Sequence, residues 1–261
     1  MPSQNQTLIM STQNRNNNSS KVDFNFSDKK VLVVGGSRGI GRGVVDKFID
    51  SGADVYYAAR SKSVDIKDLS AKFVAVDLNN ENEIIDLFNS LDDIGGVDIV
   101  VNAAAINFCN VFDEIGVDEW DDVLRVNLRA SFILCQQAGI RMKKQRYGKI
   151  VNVSSIAGRH RSLVSGVHYV SSKAGVIGLT KQFAYELGPY NVNVNVVCPS
   201  QTLTDMLKES MSEKELKSLE QAIPLKRIAS IEDQVDPILF LCSESSSYMT
   251  GAAMDINGGQ L

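Results

Sequence analysis

Seven short apolar runs recur along this chain, and what lies between them limits the fold more than any other feature. They read KVLVVG at 30–35, DVYYAA at 54–59, KFVAVD at 72–77, VDIVVN at 97–102, GKIVNVSS at 148–155, VNVNVVCP at 192–199 and AAMDIN at 252–257. A strand buried on both faces reads as a continuous apolar run, and parallel neighbours need a long crossover, which a helix supplies. The pattern therefore predicts an α/β fold: a doubly wound, seven-stranded parallel sheet with about six helices on its two faces. One crossover is short. Only a dozen residues separate the second and third runs, so a helix around SVDIKDLS has two turns at most.

No solenoid-length repeat or Pro-rich linker interrupts this pattern, so one domain is expected over 28–261. Residues 1–27 are rich in Asn, Gln and Ser and lack the apolar density that offsets ordering entropy; they read as a disordered tail. Arg15 and Lys21 are too few to favour a transit peptide, and Met10 is an alternative start. A net charge of −4 argues against a general nucleic-acid binder, which needs clustered excess Lys and Arg. Cys109, Cys135, Cys198 and Cys242 lack the paired spacing of a zinc site, and with two histidines no metal site is expected. With no apolar run of membrane length and no signal sequence, the expectation is a cytoplasmic protein with reduced thiols.

Directly after the first run comes GGSRGIGRGVVDKFIDSG, in which Gly35, Gly39 and Gly41 bracket a turn into a helix. Glycine lets backbone approach a pyrophosphate closely, and the helix N-terminus offers free N–H groups and a favourable dipole. Strand, glycine turn and helix in that order point to a Rossmann-type dinucleotide site, with Ser37, Arg38 and Ile40 in the turn. The second run ends in AARS without a carboxylate at Ala59 to hold the ribose 2′-hydroxyl of NAD. Arg60 and Ser61 stand there instead, and Arg38 and Arg60 suit a 2′-phosphate, so NADP(H) is the expected cofactor.

The spacing Gly-x-x-x-Gly-x-Gly resembles the short-chain dehydrogenase/reductase family, with Val34 where that family usually has threonine. The resemblance spans about 29–261. It implies that Asp77 and Leu78 in VDLNN contact the adenine, and that Asn102, Ala103 and Ala104 in VNAAAI line the cofactor. Ala103 and Ala105 replace the usual Asn and Gly, which puts the hydrogen bonds of the central strand in question. In CPSQTLTDM the resemblance makes Pro199, Thr202 and Thr204 the nicotinamide wall, with Ser200 in place of the usual glycine. Cys198 reads as a packed strand residue, since no base partner is evident.

Tyr169 and Lys173, in HYVSSK, are four positions apart and share one face of a helix. The resemblance makes them catalytic and adds Ser155 from VSSIAG and Asn127 from RVNLRA, with Ser154 as the alternative serine. Ketone reduction needs a proton on the oxygen as hydride reaches the carbon. A tyrosine, at about pKa 10, is a poor two-way proton donor near neutrality, and the Lys173 ammonium is expected to stabilise its phenolate. Ser155 would polarise the carbonyl, and by resemblance Asn127 would position a relay water.

The segments INFCNVF at 106–112 and RHRSLVSGVH at 159–168 are expected to face a small carbonyl or alcohol substrate, through His160, Arg161 or His168. Residues 206–227 read as a helical lid. RMKKQRYGK at 141–149 resembles the basic patch of 3-oxoacyl-acyl-carrier-protein reductases, which makes an acyl carrier protein a candidate partner, although Tyr190 stands where those reductases often carry a basic residue. A non-catalytic NADP(H)-binding sensor is the remaining alternative. By resemblance the last strand packs between subunits of a homotetramer or homodimer.

Overall fold

The computed structural model describes residues 24–63, 70–162, 164–204, 207 and 211–261. Its seven strands are β1 (Lys30–Val34), β2 (Asp54–Ala59), β3 (Ala71–Ala75), β4 (Ile99–Asn102), β5 (Gly148–Val153), β6 (Val192–Pro199) and β7 (Ala253–Ile256). They form one parallel sheet in the order β3-β2-β1-β4-β5-β6-β7, so each expected run supplies a strand. Strand ends fall up to two residues from the apolar runs. β1 stops at Val34 because Gly35 turns to φ 80°, and 97–98 fall outside β4, Asp98 using its carboxylate to accept Lys30 N–H at 2.9 Å.

Helices α1 (Gly39–Asp50) and α8 (Ile231–Cys242) cover one face, burying Val44, Val45, Phe48, Val235, Ile238 and Leu239 against the sheet. On the other face lie α2 (Glu81–Asp92), α4 (Ala130–Gln145) and α6 (Val167–Leu187), with Ile84, Phe88, Leu134, Met142 and Ala184 in the core. The packed body starts earlier than 28: Phe26 is 3% exposed and meets the Phe48 ring edge-on at 4.9 Å. The short helix expected around SVDIKDLS lies mostly outside the described residues.

Three smaller helices complete the chain: α3 (Val117–Leu124), α5 (Ile156–Arg159) and α7 (Glu213–Ala222). Capping boxes fix the starts of α7 and α8, pairing Ser212 with Glu215 and Ser230 with Asp233. The order of connection reverses between β1 and β4, which opens a crevice at the carboxyl ends of the strands, where ligands of such sheets bind. Among the described residues no helix is long and apolar enough to cross a membrane.

Candidate active site

The glycine turn sits in that crevice, where Gly39 turns to φ 55° and Gly35 and Gly41 each have a steric reason. A Cβ on Gly35 would stand 2.7 Å from Ala104 Cα, and one on Gly41 would stand 2.2 Å from the Gly35 carbonyl oxygen. Backbone therefore packs on backbone at this turn, an arrangement that leaves room for a pyrophosphate to come close. No side chain caps α1, and no acidic residue occupies its first turn, so its N–H groups and dipole face no competing anion. Arg38 and Arg60 are exposed, and neither has an ion-pair partner among the described residues.

Asp77 Oδ1 accepts the backbone and side-chain N–H groups of Asn79 at 3.0 and 3.2 Å, while Asn80, rather than Asp77, caps α2. Leu78 packs partly against the core. At the far wall Thr202 donates to the Ser200 carbonyl at 3.1 Å, and the Thr204 methyl lies 3.6 Å from where a Gly39 Cβ would be. Wall and glycine turn thus face each other. Pro199 ends β6, and Ser200 N–H bonds the Ile256 carbonyl at 3.0 Å, fastening the wall to the end of β7.

Tyr169 and Lys173 stand on the first two turns of α6, and the ammonium is 5.6 Å from the phenol ring centroid. Ser155 caps α5, its hydroxyl accepting Ala157 N–H at 3.1 Å, and its side chain acts on the Tyr169 phenol to favour the phenolate. Gly158 explains the Ser-x-x-Gly pattern: a Cβ there would stand 2.6 Å from the Lys173 carbonyl carbon, so only glycine lets α5 rest on α6. Ser154, the alternative serine, is buried and donates instead to the Lys173 carbonyl at 2.8 Å.

The electrostatics depart from the sequence expectation. Lys173 is 3% exposed and donates to the Val153 carbonyl at 2.9 Å; burial pulls its pKa down to about 8. Burial also pushes the Tyr169 phenol above its ordinary value, opposed in part by the Ser155 side chain. The expected lowering of Tyr169 by Lys173 is not what the site shows: desolvation of the phenol is the largest effect, and the one that opposes it comes from Ser155. Burial likewise pushes Cys198 up to about 11, consistent with a packed and unreactive thiol.

Asn127 lies in a π turn (Arg125–Arg129) between α3 and α4, the kind of helix irregularity that often accompanies function. Its amide clasps the backbone of Ile106, accepting from N–H and donating to C=O, each at 2.9 Å. It also belongs to a buried chain of hydrogen bonds. Asn102 donates to Ser131 at 2.8 Å, Ser131 to the Asn127 carbonyl at 2.7 Å, Asn127 Nδ2 to Ser172 at 3.1 Å and Ser172 to the Tyr169 carbonyl at 2.8 Å. Asn152 and Thr180 add a bond of 3.0 Å beside it. These residues supply the central hydrogen bonds that Ala103 and Ala105 do not. Sequence reasoning missed Ser131, Asn152, Ser172 and Thr180; the one available signal was an asparagine inside the apolar strand KIVNV.

Of the expected substrate contacts, His160 and Arg161 are exposed, but His168 is not. Its ring is fully buried against Glu119 at 2.8 Å, because it closes the first turn of α6 instead of facing the cleft. Arg159 is held by both Asp255 oxygens at 3.1 Å. The basic segment divides: Lys149 is buried on Asn193 at 2.8 Å, Arg141 pairs with Asp92, and Lys143 and Arg146 lie over the Tyr190 ring. The segment expected to form a lid contains α7, none of whose residues is buried; part of it, at 206 and 208–210, lies outside the described residues.

Residues 34–260 match the family model described as "Enoyl-(Acyl carrier protein) reductase". A 3-oxoacyl-acyl-carrier-protein reductase of Aquifex aeolicus is 38% identical over 249 residues, covering 91% of this chain and 99% of that protein. Among solved structures, a short chain dehydrogenase of Leptospira borgpetersenii with bound NAD+ superposes with a TM-score of 0.84 at 30% identity, covering 91% of this chain and 94% of its own. An NAD(P)-dependent protein of Beutenbergia cavernae, solved with NADP at low occupancy, gives 0.86 at 29% identity, with 91% and 98% covered.

Proposed function

This chain belongs to the short-chain dehydrogenase/reductase family, an oxidoreductase family that uses a nicotinamide cofactor, and from that premise we propose that it interconverts a ketone and a secondary alcohol with NADP(H). The observation that carries the chemistry is the buried Lys173 ammonium 5.6 Å from the Tyr169 ring, on the same face of α6, with Ser155 at the start of α5 beside them. When bound, the cofactor supplies or accepts hydride at the substrate carbon. Gly35, Gly39, Gly41 and the open N-terminus of α1 would hold its pyrophosphate, with Asn102, Ala103, Ala104, Thr202 and Thr204 around the nicotinamide end.

In reduction Tyr169 gives its proton to the carbonyl oxygen while Ser155 polarises it. A phenol with a raised pKa is protonated across the neutral range, so it stands ready as a donor. Lys173, cationic below about pH 8, places a positive charge 5.6 Å from the ring on which the phenolate charge develops. Asn127 fixes Ile106 and so the substrate side of the cleft.

The preference for NADP(H) rests on Arg38 and Arg60, exposed and free of carboxylate partners, and on the lack of an acid at Ala59. Binding titrations with NADPH and NADH test it: Arg60→Ala should weaken NADPH selectively, and a wild-type preference for NADH rejects the reading. Tyr169→Phe should keep cofactor affinity and lose turnover on a panel of ketones, sugars, polyols and acyl thioesters. Activity undiminished in that variant rejects the role of Tyr169.

A second reading, reduction of carrier-bound 3-oxoacyl groups, draws support from Lys143 and Arg146 around Tyr190, a cationic surface suited to an acidic carrier. The reading also takes the protein as a cytoplasmic homotetramer or homodimer. Exposed Phe132, Ile140 and Tyr185 on α4 and α6 support association, and sizing tests it.

A further inference from the structure

The residue before the proposed proton donor is a histidine that the chemistry above does not use. α6 starts after Gly166, which has no side chain to cap it, so the N–H groups of the first turn need other partners. Nδ1 of His168 takes one of them, accepting Tyr169 N–H at 2.7 Å. With its Nδ1 lone pair engaged, the neutral ring carries its hydrogen on Nε2, which donates to Glu119 Oε1 at 2.8 Å. The other oxygen of Glu119 accepts from Asn110 Nδ2 at 2.8 Å.

The surroundings are built to this shape. A Cβ on Gly166 would stand 2.7 Å from His168 Cε1 and 2.9 Å from the Asn110 carbonyl oxygen, so only glycine leaves room for the imidazole. Phe108 packs edge-on against the ring at 6.4 Å, and its carbonyl accepts Gly166 N–H at 3.3 Å. On the other side Ser172 donates to the Tyr169 carbonyl. Both backbone groups of Tyr169 are thereby held by side chains, and the N–H side is tied through Glu119 to α3 and to the loop at 106–110.

We propose that His168 and Glu119 are positioning residues: a single imidazole tautomer clasped by a carboxylate fixes the first turn of α6 against α3 and the 106–110 loop, and so sets where the Tyr169 hydroxyl stands. This rests on Tyr169 being the proton donor. It also explains why the buried ring is a histidine. A δ acceptor and an ε donor on one rigid ring satisfy Tyr169 N–H and Glu119 together; asparagine has an acceptor at the first place without the reach to Glu119, and glutamine reaches Glu119 with its acceptor too far out for its neighbour's N–H.

The test reads the tautomer and the phenol directly. The chain has two histidines, and exposed His160 serves as the internal reference for His168. Nitrogen NMR of ring-labelled histidine should show His168 held with its proton on Nε2. In tyrosine labelled at Cζ, the resonance that vanishes in Tyr169→Phe should move in His168→Asn and Glu119→Ala. It should stay in place in Glu119→Gln, which keeps an acceptor for Nε2–H and lets Asn110 turn its amide. With acetoacetyl-CoA as substrate, kcat should fall about ten- to hundredfold in the first two variants while the Kd for NADPH is unchanged.

A His168 proton on Nδ1, an unmoved Cζ resonance in both disruptive variants, or equal damage from Glu119→Gln and Glu119→Ala overturns the proposal. The resonances need no substrate. Turnover surviving in Tyr169→Phe would instead overturn the role of Tyr169, and the two failures are told apart.

Discussion

Replacing the buried lysine of the site with methionine should stabilise the protein while abolishing turnover. Lys173 is 3% exposed and its pKa falls from 10.5 to about 8, a shift of roughly 2.5 units, or about 3 kcal/mol against the charged form at 1.36 kcal/mol per unit. Lys173→Met removes that penalty and also the hydrogen bond to the Val153 carbonyl, which costs about 1 kcal/mol. A net gain of about 2 kcal/mol raises Tm by about 4–8 °C for a domain of this size. The sign follows from proton counting. Between about pH 8 and 10.5 the unfolded chain holds the lysine proton and the folded chain does not, so wild-type stability rises with pH across that window and the advantage of the variant shrinks. Thermal melts of both proteins at matched concentration should differ fully at about pH 7, and at about pH 9.5 the remaining half of the penalty should nearly cancel the lost hydrogen bond. A variant that melts below wild type at neutral pH, or a difference that ignores pH, refutes the claim that burial governs Lys173.

Gly41→Ala should abolish binding of NADPH and NADH alike in a fluorescence titration, because a Cβ 2.2 Å from the Gly35 carbonyl forces the turn apart. Asn127→Ala leaves both the N–H and the C=O of Ile106 without their partner; a loss of about 2–4 kcal/mol in urea unfolding is expected, with activity lost besides. Alcohol oxidation needs the Tyr169 phenolate, and a phenol held above its ordinary value makes it scarce near neutrality, so the oxidation rate should climb towards alkaline pH while ketone reduction does not. A flat oxidation profile through the alkaline range would count against Tyr169 as the base.

Strand positions were legible because a strand buried on both faces leaves an unbroken apolar run, and all seven runs became strands. Their ends were less so, since pairing and φ decide them: β3 starts one residue earlier, at Ala71, and ends two earlier, at Ala75, and β1 gives up Gly35 to the left-handed turn. The grouping of the residues proposed for catalysis was legible for a different reason. Tyr169 and Lys173 are tied by helical spacing, and Ser155 is followed by a glycine whose absence of a side chain lets α5 rest on α6. His168 misled because nothing local distinguishes a histidine turned into the protein from one turned towards the cleft. Its partner Glu119 is 49 positions away, across a contact that only the fold creates. The lowering of the Tyr169 pKa misled in the same way, since a neighbouring cation can be read from spacing but desolvation cannot.

The buried polar groups follow a division of labour that explains their cost. Asn102, Ser131, Asn127 and Ser172 form a line of donors running from the end of β4 to the Tyr169 carbonyl, and every link is 3.1 Å or shorter. Apolar residues in their place would pack as well and escape the risk of unpaired polar atoms, so stability alone gives no reason for them. What hydrogen bonds add is direction. A network with one set of lengths and angles fixes the rotation of α6 over the sheet, where apolar contacts tolerate sliding. The role proposed for Tyr169 needs that fixing because its hydroxyl would have to meet Ser155 on one side and Lys173 on the other, and a displacement of about 1 Å can cost about a hundredfold in rate. Lys173 carries the opposite balance: its burial costs stability and its one hydrogen bond to Val153 recovers only part, which is the condition of a group kept for its charge.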